Sequence, residues 1–97
     1  MNKEKIKKEV ERMIKTFSKQ MLKIATNRKN IEKGDSWKNS SILFLRNKKR
    51  EEDNEFFREE DFGKAMDELI DGSIVNMMLW FRLRELKEKG KNYEVKM

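Results

Sequence analysis

The chain contains no cysteine, no histidine and no proline, and each absence removes a class of chemistry. Without cysteine there is no disulfide framework, no thiolate nucleophile and no zinc ribbon. Without histidine there is no imidazole base, no Ser-His-Asp triad and no imidazole-ligated metal. Any metal must therefore sit on oxygen ligands, which suit hard cations such as Mg²⁺, with Mn²⁺ as the alternative. Long apolar runs are missing as well: the longest, residues 77–81, is far short of the roughly 20 residues that span a bilayer. The lysine-rich start lacks the apolar stretch of a signal peptide. These absences lead us to expect a soluble cytoplasmic protein with no membrane partner.

What remains is charge. In 97 residues, 24 Lys plus Arg face 18 Asp plus Glu, for a net charge of +6 and a pI near 9.6, and charged residues make up 43% of the chain. Leu, Ile, Val and Phe together number 23, just above the fraction of roughly 20% below which disorder becomes the default. A single domain over residues 1–97 is expected. A domain of this length buries only about 60–65% of the surface its unfolded chain exposes, so a second subunit is an expected source of further burial.

Apolar residues recur at helical spacing. Ile6, Val10, Met13, Ile14, Phe17, Met21 and Ile24 draw one stripe along residues 3–26, opposite a face of Lys and Glu. This predicts an amphipathic helix whose seam packs against another helix. The acids Glu4, Glu9 and Glu11 interleave with the lysines and weaken a lipid-binding reading. Residues 27–38 break the period with Asn, Gly34, Asp and Ser, which predicts a loop. Its Trp37 and neighbouring cations suit either a surface that stacks a base and contacts phosphate or a hydrophobic plug that holds the loop down.

A second helix is expected from a cap at Asn39 or Ser40 to about Phe57. Its core line runs from Ile42 and Leu45 through Lys49 and Glu52 to Phe56, so a carboxylate occupies a position that continues the core. Such a group needs a partner or a metal. After a connection over residues 59–63, a third helix is predicted from about Lys64 to Lys89, with Gly90 at the C′ position and residues 91–97 as a frayed tail. Gly72 inside it either admits another helix or a ligand or is merely tolerated. Residues 74–81 are apolar nearly all round except for Asn76, which points to a subunit interface. The fold class is therefore all-α: an antiparallel bundle of about three main helices, completed by oligomerisation into a homodimer or homotetramer.

Two acidic pairs stand out. Glu52 and Glu55 are three apart, Glu68 and Asp71 are three apart, and twelve residues lie between the pairs. Each pair projects to one side of its helix, and a short connection turns the two helices face to face. Either the four carboxylates converge and need a divalent cation to relieve their repulsion, or they form two separate solvated faces.

These residues resemble the all-α nucleoside triphosphate pyrophosphohydrolases of the MazG type. The resemblance runs from about Phe17 to Leu83. It rests on the Lys33-Gly34-Asp35-Ser36-Trp37 loop, the Glu52-x-x-Glu55 and Glu68-x-x-Asp71 pairs, and the Met77-Met78-Leu79-Trp80 run. It implies a helical bundle in which Glu52, Glu55, Glu68 and Asp71 hold Mg²⁺ and carry catalysis. The implied reaction cleaves a nucleoside or deoxynucleoside triphosphate between its α and β phosphates, releasing a monophosphate and pyrophosphate. Lys33 and Arg50 are then expected at phosphate, Trp37 on the base, and Asn76 as a further substrate contact, although the asparagine usual three residues after the aspartate is Ile74 here. Two rival classes fit the composition: a basic helical protein that binds nucleic acid without catalysis, and a catalytically inactive helical oligomer.

Overall fold

The computed structural model describes residues 2–90, apart from the side chain of Arg28, and the tail expected at 91–97 lies outside them. Among the described residues the chain is all helical. Helix α1 spans Lys3–Ala25, α2 spans Arg28–Lys33, a 3₁₀ turn covers Ser36–Asn39, α3 spans Ile42–Arg58 and α4 spans Phe62–Glu88.

Each α-helix starts on a side chain that accepts a hydrogen bond from an otherwise unpaired backbone N–H. Asn2 accepts from Glu4 at 2.7 Å, Asn27 from Asn30 at 2.9 Å, Ser41 from Phe44 at 3.0 Å and Asp61 from Lys64 at 2.9 Å. These caps correct three boundaries. The cap of α3 is Ser41 rather than Asn39 or Ser40, because the 3₁₀ turn runs on through Asn39 and leaves Ser40 extended. Asp61 starts α4 at Phe62, which draws Gly63 out of the expected connection and into the first turn. Asn27 converts half of the expected loop into α2, so the chain has a fourth, short helix. At the far end Lys89 caps α4 and Gly90 follows at φ 71°, the left-handed conformation expected of a C′ glycine.

Helices α3 and α4 form an antiparallel hairpin across residues 59–61. Its register is fixed at three levels. The Arg82 Nε–H donates to the Ser40 carbonyl at 3.3 Å, Lys49 and Glu52 lie against Gly72, and Glu55 meets Glu68. Among the described residues the buried apolar side chains all belong to this hairpin: Ile42 and Leu45 from α3, Ile70, Ile74 and Val75 from α4. Helix α1 packs on α4 and α2, yet none of its residues is buried. Its seam does meet another helix, as expected, but among the described residues it is left largely exposed.

Gly72 is the point of closest approach. A Cβ there would lie 3.3 Å from the Lys49 ammonium nitrogen and 3.8 Å from the Glu52 Cβ. The lysine tip can yield by a few tenths of an ångström, and alanine recovers helix propensity. Gly72→Ala is thus expected to stabilise the fold by up to about 1 kcal/mol in chemical denaturation followed by circular dichroism. Gly72→Leu must displace the Glu52 stem and is expected to cost about 1–3 kcal/mol. A large loss for alanine would show that α3 cannot give way at this level.

Candidate metal centre

The hairpin register brings acids together where the core line of α3 meets α4. One carboxylate oxygen from each of Glu52, Glu55 and Glu68 lies within 4.8 Å of the other two. Glu52 is buried, Glu68 half-buried and Glu55 exposed, so the group opens to solvent on one side. Gly72 makes this possible by letting the Glu52 stem settle against α4. Asp71 stands next to the trio without joining the three-oxygen group, close enough for its charge to be felt by Glu52 and Glu68.

The electrostatics are those of a site short of positive charge. Burial pushes the Glu68 carboxyl up to about 7, helped by Glu55 as hydrogen-bond neighbour and charge, and then by Asp71 and Glu52. Its Oε2 is sealed from solvent and has no hydrogen-bond partner. Glu52 is also raised, first by burial and then by Glu55 and Asp71, against the opposing Lys48 ammonium. That ammonium lies 3.7 Å from Glu52 Oε1 and 3.8 Å from Glu51. Burial and the charges of Asp67 and Glu55 raise Asp71, while Lys33 and Lys29 on α2 pull it back.

A buried carboxylate oxygen with no donor costs about 1–3 kcal/mol or more, and crowded acids add repulsion. Three carboxylate oxygens from two helices, on residues that include the incompletely partnered Glu68, are the kind of donor set that a hard divalent cation takes. The neighbouring acids are occupied otherwise. Glu51 shares Lys48 and is solvent-facing, while Asp53 pairs with Lys49 across the Gly72 gap.

The other expected site residues divide. Lys33 lies near enough to Asp71 for its charge to lower that carboxyl, and Lys29 on the same helix acts in the same direction. Arg50 is exposed, and at two residues from Glu52 it points about 200° away around α3. Asn76 is exposed too. Trp37 lies with Lys38 against Phe81, Arg84, Glu85 and Glu88 around a cleft of about 300 Å³, and Phe81 is about 15 Å along α4 from Asp71. Sequence reading missed Lys48 and Lys29. Both sit among so many lysines that only the folded register singles them out, although the spacing of Lys48 and Glu52, four apart on one helix, was available as a signal.

No helix among the described residues is long and apolar enough to cross a membrane. No protein-family model, no curated protein and no solved structure matches the chain.

Proposed function

We propose that this chain is a metal-dependent pyrophosphohydrolase of the MazG type, splitting a nucleoside or deoxynucleoside triphosphate into the monophosphate and pyrophosphate. The observation that carries the reading is the convergence of Glu52, Glu55 and Glu68, with the sealed Oε2 of Glu68 left without a donor. In this reading Glu52, Glu55, Glu68 and Asp71 hold Mg²⁺ or Mn²⁺. When bound, such a cation neutralises phosphate charge and makes water more acidic.

The rest falls to the chain itself. Lys33 and Lys29 on α2, whose charges are felt at Asp71, are suited to the outer phosphates. The fixed α3–α4 register holds the carboxylates without reorganisation as charge develops. Water adds across the bridge between the α and β phosphates, and with no histidine in the chain a carboxylate must receive its proton. The net charge of +6 draws a polyanionic substrate inward. The proposal does not rest on Trp37, which lies beside Phe81, on Arg50, which projects from another side of α3 than Glu52, or on the exposed Asn76. It does include assembly as a homodimer or homotetramer.

The test is pyrophosphate release from the eight common ribo- and deoxyribonucleoside triphosphates with Mg²⁺, Mn²⁺ or EDTA. Release with a monophosphate product, abolished by EDTA, is the expected result. Silence from all eight with either metal would overturn the proposal.

A further inference from the structure

Helix α1 is continuous over Lys3–Ala25, so its sequence can be placed around one axis at about 100° per residue. Its half-buried residues, Met21, Ile24 and Ala25, fall on the side of the apolar stripe, where the helix is partly covered. The opposite side is a row of cations. Lys5, Lys8, Arg12, Lys15, Lys19 and Lys23 follow one another by steps of three and four. They fall within about 80° of each other, centred about 160° from the apolar stripe. All six are exposed, and no ion pair among the described residues involves any of them.

The acids of α1 stay out of this row. Glu4, Glu9 and Glu11 border it at its N-terminal half, and Glu11 pairs with Lys7, 3.9 Å away and outside the row. From Arg12 through Ile31 the chain has six cations and no carboxylate. Interleaving along the sequence thus becomes segregation around the helix.

We propose that this face of α1 binds double-stranded DNA, with the helix laid in the major groove and its cations reaching the phosphates on either rim. The dimensions agree. An α-helix with its side chains is about 10–12 Å across, and the major groove of B-form DNA is about 12 Å wide. The row is roughly 27 Å long, against which a duplex sets one phosphate charge every 1.7 Å or so, enough to match every cation. A nucleoside triphosphate is far too short to engage it.

Other polyanions fit less well. Single strands are held by aromatic side chains that stack on bases, and Phe17, the aromatic residue of α1, lies on the apolar side. The major groove of A-form RNA is too narrow and deep to take a helix. A bilayer would take up the apolar side and leave the cationic row pointing into water. The proposal concerns a surface outside the carboxylate site and stands whether or not the chain is a hydrolase.

The test is binding of the whole chain to a fluorescent 20-base-pair DNA duplex, followed by anisotropy in EDTA from 50 to 200 mM KCl. Six phosphate contacts predict a slope of log K against log salt near −5, and so about a thousandfold weakening across that range. Replacing Arg12, Lys15, Lys19 and Lys23 together by Gln keeps helix propensity and is expected to reduce the slope to about −2 and weaken binding more than about thirtyfold at 50 mM. The control replaces Arg58, Lys64, Lys87 and Lys89, all exposed on α3, α4 or its cap, by Gln. It lowers the net charge by the same four and is expected to change affinity less than about threefold. Equal loss in the two variants would overturn the proposal, because net charge alone would then explain binding. So would a wild-type slope shallower than about −2, or tighter binding to a single-stranded 20-mer or an RNA duplex of the same sequence. EDTA and the absence of nucleoside triphosphate keep these readouts independent of the hydrolase reading.

Discussion

Glu68→Gln is expected to lower Mg²⁺-dependent pyrophosphate release about a thousandfold, a loss of about 4 kcal/mol of transition-state stabilisation, while raising the melting temperature of the metal-free protein at pH 8. The two effects have one origin. The Glu68 carboxyl is crowded by Glu55, Asp71 and Glu52, and its Oε2 is sealed without a donor, so its charge is unfavourable to the fold unless a cation is present. Glutamine keeps the shape, removes the charge and supplies an N–H donor to neighbouring carboxylates. Glu52→Gln should lose activity similarly, with a stability response tempered by its lost contact to Lys48. Asp71→Asn is the companion test, because Asp71 stands outside the three-oxygen group and is held back by Lys33 and Lys29. Loss as deep as that of Glu68→Gln would support Asp71 as a metal holder alongside the three glutamates, and full activity would remove it from that set. Full activity in Glu52→Gln and Glu68→Gln, with circular dichroism unchanged, would sink the carboxylate site.

The centre of this site was legible in the sequence because two periodicities intersect there. Ile42 and Leu45 define the buried line of α3, and a step of seven from Leu45 lands on Glu52, which is the buried acid. The same spacing logic pairs Glu55 with Glu68 once a tight turn is granted. Less could be read where structure depends on long-range contacts or on pieces shorter than a helical period. Helix α2 has six residues and the 3₁₀ turn four, too few to show an apolar repeat, so a cap at Asn27 was their only local signal. Trp37 had two readings, and only the packing of the 3₁₀ turn against α4 places it beside Phe81 and Arg84 instead of the acids. Arg82 reaches the Ser40 carbonyl across 42 positions, a contact no pattern announces. The apolar stripe of α1 predicted that something packs on it; periodicity does not say whether that something belongs to the same chain.

Metal-free protein is expected to lose stability as pH rises from about 4.5 to about 7, and Mg²⁺ is expected to restore it only above that window. The direction follows from where protons reside. Glu68 titrates near 4.5 in the unfolded chain and at about 7 in the fold, so between those values the folded state holds more protons. Stability then falls with rising pH, its full contribution present below about 4.5 and lost by about 7. Glu52 and Asp71 are raised too and act in the same direction, with Lys48, Lys33 and Lys29 offsetting part of the repulsion. A divalent cation binds the deprotonated carboxylates and competes with those protons. At a hundred times its dissociation constant it adds about 2.7 kcal/mol at pH 8, which for a domain of this size is a rise of more than about 10 °C in melting temperature. At pH 4.5 the same Mg²⁺ should move the transition by only a degree or so, because a proton already occupies Glu68. Thermal melts by circular dichroism at fixed protein concentration, with Mg²⁺ or EDTA at both pH values, read the whole pattern. Melting that ignores Mg²⁺ at pH 8, or metal-free stability that climbs from pH 5 to 8, would mean that the acids are solvated and separate in solution. In Glu68→Gln the pH-dependent fall should shrink together with the Mg²⁺ response, since the same carboxyl contributes to both.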